Sequence, residues 1–126
     1  MQAEIRQMLK QGGGRIVNMA SATSRNTYPN ASPYVTSKFA VAGLTRTVAV
    51  EYANRDIRIN AICPGNVATP LVVSLVEDLS VLATKHAINR LGTPQEVANG
   101  VMYLASDLSS FSTGSLLEVD GGWNAI

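Results

Sequence analysis

The sequence predicts an α/β fold, a parallel β-sheet with helices on both of its faces. Two observations carry this reading. Three short runs have strand character, Arg15 to Ala20, Asp56 to Ile62 and Ser115 to Val119, and segments of helical period separate each run from the next. Strands joined through helices need right-handed crossovers, which lay the strands parallel and bring the helices onto the sheet. No internal repeat or low-complexity tract interrupts the pattern, so residues 1–126 read as one domain or part of one.

The elements follow in order. Ala3 to Gln11 is helical, with Ile5, Met8 and Leu9 on one face, and Gly12-Gly13-Gly14 stops it. Arg15-Ile16-Val17-Asn18-Met19-Ala20 is the first strand, and a loop rich in Ser, Thr, Asn and Pro runs from Ser21 to Pro33. Ser32 is the expected cap of the next helix, with Pro33 at its first position and helical period to about Ala53. There Val41, Leu44 and Val48 form an apolar stripe, while Ala40, Gly43 and Thr47 make a small-residue face.

Asp56 to Ile62 alternates and is rich in Ile, the second strand, ended by Pro64-Gly65. Leu71 to about Ile88 reads as one irregular helix. Thr93-Pro94-Gln95-Glu96 is a capping box that opens a helix to about Ala105. Gly114 leads into the third strand, and Asp120-Gly121-Gly122 is a turn needing positive φ.

Composition narrows the function classes. An apolar fraction of 46% with 15% charged residues is globular rather than disordered. Ten basic against nine acidic side chains, with no basic block, give no electrostatic case for nucleic acid or an anionic membrane surface. No stretch approaches the roughly 18 apolar residues of a membrane span, and Met1 to Lys10 lacks a signal-peptide core. Cys63, the single cysteine, excludes an internal disulfide and a cysteine-built zinc site, and suits a reducing compartment. The expectation is a soluble, cytoplasmic protein. His86 is the only histidine and has no paired ligand, so no metal site is expected.

Tyr34 and Lys38 carry the strongest local signal. Four residues apart on a helix, they share one face. A phenol titrates near ~10, too high for ready proton exchange at neutral pH, and an adjacent ammonium favours the phenolate. The pair is an acid–base unit if it faces a cleft; alone, Tyr-x-x-x-Lys is an ordinary helical surface pair. Ser21 sits just past the first strand, at the carboxyl edge of a parallel sheet, where open α/β folds bind ligands. Its hydroxyl is placed to hold a substrate oxygen, or simply to serve as a loop or cap residue.

Taken together, Asn18-Met19-Ala20-Ser21, Tyr34-Val35-Thr36-Ser37-Lys38, Ile57-Arg58-Ile59-Asn60-Ala61-Ile62 with Pro64-Gly65-Asn66-Val67-Ala68-Thr69, and Asp120-Gly121-Gly122 resemble the short-chain dehydrogenase/reductase family. The similarity runs from about Gln2 to Trp123, and the thirteen-residue step from Ser21 to Tyr34 also matches. The resemblance implies the C-terminal portion of a Rossmann-like doubly wound parallel sheet, about three strands with flanking helices. It implies hydride transfer between NAD or NADP and a small carbonyl or alcohol substrate, in a protein that forms homo-oligomers. Tyr34 then resembles the catalytic acid/base. Lys38 resembles the residue that lowers the tyrosine pKa and binds the nicotinamide ribose. Ser21 resembles the residue that polarises the substrate oxygen. Pro64, Gly65, Val67 and Thr69 match the turn that packs on the nicotinamide and bonds its carboxamide.

The sequence departs from the family in one large respect. Family members are roughly twice as long and begin with a βαβ unit whose glycine-rich turn holds the pyrophosphate. Gly12-Gly13-Gly14 follows a helix and precedes a strand, the reverse of that context. The N-terminal βαβ half is therefore expected to lie before Met1, and with it the residue that separates NAD from NADP. Such a chain exposes one edge of its first strand, and is expected to self-associate or to need a partner fragment. The alternative function is a catalytically inactive truncated chain acting only as an assembly or interaction fragment. Leu71 to Arg90 matches the family's variable substrate-covering region; Leu71, Val72, Val73, Leu75, Val76, Leu79, Val81 and Leu82 fit a lipophilic or acyl-like substrate and equally fit core or lid packing. Arg58 and Asn60 are expected to tie loops together, Cys63 to be buried, and Trp123 to cover an apolar edge or a subunit contact.

Overall fold

The computed structural model describes residues 1–125. Strands β1 (Gly14–Met19), β2 (Ile57–Pro64) and β3 (Leu116–Val119) form one parallel sheet in the order β1-β2-β3. Met19 lies opposite Ile62, and Pro64 opposite Val119. The α/β class and the parallel sheet are as the sequence predicts.

Central β2 is buried on both faces, and its alternation sorts the helices. Ile57, Ile59, Ala61 and Cys63 face helix α1 (Gln2–Gln11) and helix α2 (Ser32–Tyr52). Ile62 and Arg58 face the opposite layer, a helix at Pro94–Ala105. Glycine 12 stops α1 as expected, in the left-handed conformation at φ 87°.

Three details differ from the sequence expectation. First, α2 starts one residue early: Ala31 is its cap, because Val35 N–H already donates to the Ala31 carbonyl at 2.9 Å. Second, the face α2 buries is Ala42, Thr45, Val48 and Ala49, while Leu44 is 50% exposed. A polar contact sets that rotation: Asn18 Nδ2 of β1 donates to Thr45 Oγ1 at 2.9 Å, and Thr45 Oγ1 donates to the Val41 carbonyl at 2.7 Å. Small residues then let helix and sheet approach closely.

Third, the irregular helix expected from Leu71 to Ile88 is two short ones, α3 (Pro70–Leu75) and α4 (Leu79–Ala83). Each has its own cap, Thr69 accepting from Val72 N–H and Asp78 from Ser80 N–H, and Val76 is extended between them. Neither helix buries a residue, so their apolar side chains are not core packing. No helix among the described residues is long and apolar enough to cross a membrane.

The last helix, α5 (Pro94–Ala105), opens on the predicted capping box. Thr93 Oγ1 accepts from Glu96 N–H, and the Glu96 carboxylate accepts from Thr93 N–H at 2.7 Å. Arg90 adds a bidentate contact to that carboxylate at 2.6 and 3.0 Å. At its other end α5 is closed by Arg58, 7% exposed, which donates to the Leu104 and Ser106 carbonyls at 3.2 and 2.9 Å. Arg58 also holds Ser109 Oγ and the Ser112 carbonyl. Asn60 donates to the Ser112 carbonyl at 2.8 Å and accepts from Ser115 N–H at 2.9 Å. Both residues thus tie the approach to β3.

His86 lies outside α4, buried with 2% exposed. Its Nδ1 is 2.6 Å from the Asp120 carbonyl, and its Nε2 accepts from Asn66 N–H at 3.3 Å. A carbonyl only accepts and an amide only donates, so the ring carries its proton on Nδ1. Trp123 packs edge-on against it, centroids 5.4 Å apart, which makes Trp123 an internal cover. His86 thus joins the turns that follow β2 and β3. Gly65 has to be glycine there: a Cβ would lie 2.5 Å from His86 Cε1 and 3.0 Å from Asp120 Cα.

Two outcomes are expected. Arg58→Met keeps the aliphatic stem but strands buried carbonyls, and equilibrium denaturation should show a loss of about 3 kcal/mol. In a carboxyl NMR titration, Glu96 should show a midpoint of about 2 against an ordinary 4.5, with the Arg90 guanidinium as the main cause. A depressed carboxyl stabilises the folded state above the ordinary value, and that contribution fades as pH falls from about 4.5 to 2.

Candidate active site

Parallel strands end together, and the candidate residues collect at their carboxyl ends. Ser21 stands two residues past β1. Tyr34 and Lys38 occupy the first two turns of α2, one turn apart. Lys38 Nζ donates to the Met19 carbonyl at 3.0 Å and lies 5.6 Å from the centre of the Tyr34 ring. This single ammonium brings the tyrosine to the end of β1. Tyr34 is 45% exposed, so its ring faces open space beside the sheet edge, while Ser21 is buried.

The loop after β1 is built from hydroxyls. Ser21 is extended and caps a 3-10 turn at Ala22–Ser24; its Oγ accepts from Thr23 N–H at 3.2 Å and from Thr23 Oγ1 at 2.9 Å. Ser24 Oγ accepts from Ser21 N–H at 3.3 Å and donates to the Lys38 carbonyl at 3.1 Å. Ser24 therefore joins the backbones of two candidate residues. Behind the loop, Asn124 Nδ2 donates to the Ala22 carbonyl at 3.0 Å and to Glu118 at 3.2 Å, and Arg25 pairs with Glu118 at 3.1 Å.

Thr23, Ser24 and Asn124 escape sequence reasoning. In a loop crowded with Ser and Thr no single hydroxyl stands out, although the Ser21-x-x-Ser24 spacing is that of a small capping box. Asn124 meets Ala22 across 102 positions, which no local pattern foretells.

The second wall is the turn after β2. Gly65 N–H donates to the Val119 carbonyl at 3.1 Å, Val67 bridges to Gly92, and Thr69 N–H donates to the Val67 carbonyl at 2.8 Å. Pro64, Gly65, Val67 and Thr69 thus lie on one turn, with the Thr69 hydroxyl engaged in capping α3. Asn66 Nδ2 is buried with no hydrogen-bond partner among the described residues. Lys38, the open Tyr34 ring and a turn with an orphaned donor fit the nicotinamide end of a dinucleotide. Gly12-Gly13-Gly14 runs from α1 into β1, the reverse of a phosphate loop. Cys63, fully buried beneath the site, is inert: burial pushes its thiol above the ordinary value.

Comparison with known proteins agrees with this geometry. A family model described as enoyl-(acyl carrier protein) reductase matches residues 1–124. A cis-4-hydroxycyclohexanecarboxylate dehydrogenase of Sinomonas cyclohexanicum is 44% identical over 97% of this chain and 49% of its own length. A cyclohexanol dehydrogenase of Acinetobacter sp. (strain SE19) is 44% identical over 99% of this chain and 49% of its own length. The structure of a gluconate 5-dehydrogenase from Burkholderia cenocepacia, in complex with NADP and tartrate, superposes with a TM-score of 0.93 at 34% identity, covering 99% of this chain and 50% of that one. The chain spans about half the length of the curated relatives it matches. Sequence and structure agree from the first helix to the last turn, and the chain belongs to the short-chain dehydrogenase/reductase family of oxidoreductases.

Proposed function

We propose that this chain supplies the proton-handling part of an oxidoreductase acting on a small carbonyl or alcohol, with Tyr34 as the acid/base. The observation that carries the reading is Lys38, whose ammonium ties Tyr34 to the end of β1 beside the loop bearing Ser21. In the reducing direction Ser21 holds the carbonyl oxygen and Tyr34 Oη gives it a proton, while Lys38 stabilises the phenolate left behind. In the oxidising direction the phenolate takes the alcohol proton.

NAD or NADP, when bound, supplies or accepts the hydride at the carbonyl carbon. Lys38 is placed to bond the nicotinamide ribose. The turn of Pro64, Gly65, Val67 and Thr69 is placed to grip the carboxamide with backbone groups. The apolar side chains that α3 and α4 leave exposed, Leu71, Val73, Leu75 and Val81 among them, favour a substrate with an apolar body. The exposed face of α2, with Ala40, Gly43 and Thr47 beside Leu44, favours self-association. The lone thiol fits a reducing, cytoplasmic setting.

The test uses the intact protein with cyclohexanone or cyclohexanol and either nicotinamide cofactor. Tyr34→Phe is expected to lower kcat by at least about 100-fold, with cofactor affinity changed less than about twofold. Turnover retained in the phenylalanine variant refutes the assignment. Absence of turnover in the parent itself favours the assembly-fragment alternative.

A further inference from the structure

We infer that Thr23 is a positioning residue that makes the Ser21 hydroxyl a one-way hydrogen-bond donor, aimed at the substrate oxygen. The inference rests on the proposed role of Ser21 and extends it to how that role is enforced.

A serine hydroxyl has one proton to give and two lone pairs to offer. Thr23 N–H takes one lone pair of Ser21 at 3.2 Å, and the Thr23 hydroxyl, 2.9 Å away with Ser21 Oγ as its one side-chain partner among the described residues, is assigned as donor to the second. Ser21 and Thr23 are 7% and 3% exposed, so water does not compete for these contacts. What remains to Ser21 is its own O–H. The loop cannot turn to relieve this, since Ser24 fastens the Ser21 amide to the Lys38 carbonyl.

The chemical consequence is directional. A carbonyl oxygen, which only accepts, satisfies Ser21 and is held by it. A substrate alcohol meets Ser21 through a lone pair, because Ser21 has no free lone pair to accept the alcohol proton. That proton is left a single outlet, the Tyr34 oxygen. Thr23 therefore decides which partner of the alcohol receives its proton, although it need touch neither substrate nor cofactor.

Steady-state kinetics of the intact protein with cyclohexanone and cyclohexanol test this. Thr23→Val keeps the branched shape and the amide donor but removes the hydroxyl, giving Ser21 a free lone pair. The expected result is a fall in kcat of about tenfold, the worth of roughly one hydrogen bond, with ketone KM and cofactor Kd changed less than about twofold. Thr23→Ser, which restores the hydroxyl, is expected to recover kcat to within about twofold. In a Ser21→Ala background, Thr23→Val is expected to add nothing.

The two readings fail differently. If Ser21→Ala turns over like the parent, the role of Ser21 fails and this inference with it. If Ser21→Ala is crippled yet Thr23→Val is unaffected, or further lowers turnover in the Ser21→Ala background, only the role of Thr23 is overturned. A readout independent of turnover is the slowly exchanging hydroxyl proton seen by NMR. Coupling to Thr23 Hβ supports the inference, and coupling to Ser21 Hβ overturns it.

Discussion

The register of β2 against its two neighbours is the constraint on which the rest depends. Met19 opposite Ile62 and Pro64 opposite Val119 make the three strands end at one level, and Ala20 N–H extends the ladder to the Ile62 carbonyl at 2.9 Å. Ser21, the Pro64-Gly65 turn and Asp120 are brought together by that levelling alone. A slip of one residue would also turn Ile57, Ile59 and Cys63 away from α1 and α2 and toward α5. It would carry Arg58 and Asn60 out of reach of the carbonyls they satisfy. Apolar burial and polar satisfaction therefore select the same register, which is why a site assembled from three strand ends has one geometry.

Around that frame the site is held by short polar contacts more than by apolar mass. Ser24, Thr23 and Asn124 fasten the Ser21 loop to α2 and to the C-terminal turn, while His86 fastens the turn after β2 to the turn after β3. Most of these groups are buried, where an intact hydrogen bond is strong and an unmatched one is costly. Each loop consequently has few alternative arrangements. That rigidity suits the role proposed for Ser21 and Tyr34, which requires each to meet one oxygen within hydrogen-bond distance.

Much that depends on neighbouring residues was legible in the sequence: the glycine stop after α1, the Thr93 capping box, the Ile-rich central strand, and the four-residue step from Tyr34 to Lys38. Relations set by tertiary contact were not. Leu44 has a stronger apolar claim than Ala42, yet Asn18 holding Thr45 turns α2 so that alanine meets the sheet and leucine meets solvent. His86 gave no sign of its role because its partners, Asn66 and Asp120, lie 20 and 34 residues away. The break between α3 and α4 was hidden for another reason. An apolar run without a buried face keeps its hydrophobicity but lacks the packing that would hold one long helix, so two local caps prevail.

The same contrast separates stability from specificity. Neither α3 nor α4 buries a residue, so changes to their exposed side chains reach neither the core nor the loop that carries Ser21. The candidate residues Ser21, Tyr34 and Lys38 sit in the loop after β1 and on α2, anchored by contacts within that loop and to the end of β1. Relatives that share this framework are named for alicyclic alcohols and for gluconate, compounds of very different polarity. A rigid hydroxyl-lined loop beside two helices that bury no residue is a physical arrangement that permits such range across a family: α3 and α4 can be rewritten while the register that levels Ser21 with Pro64 stays fixed.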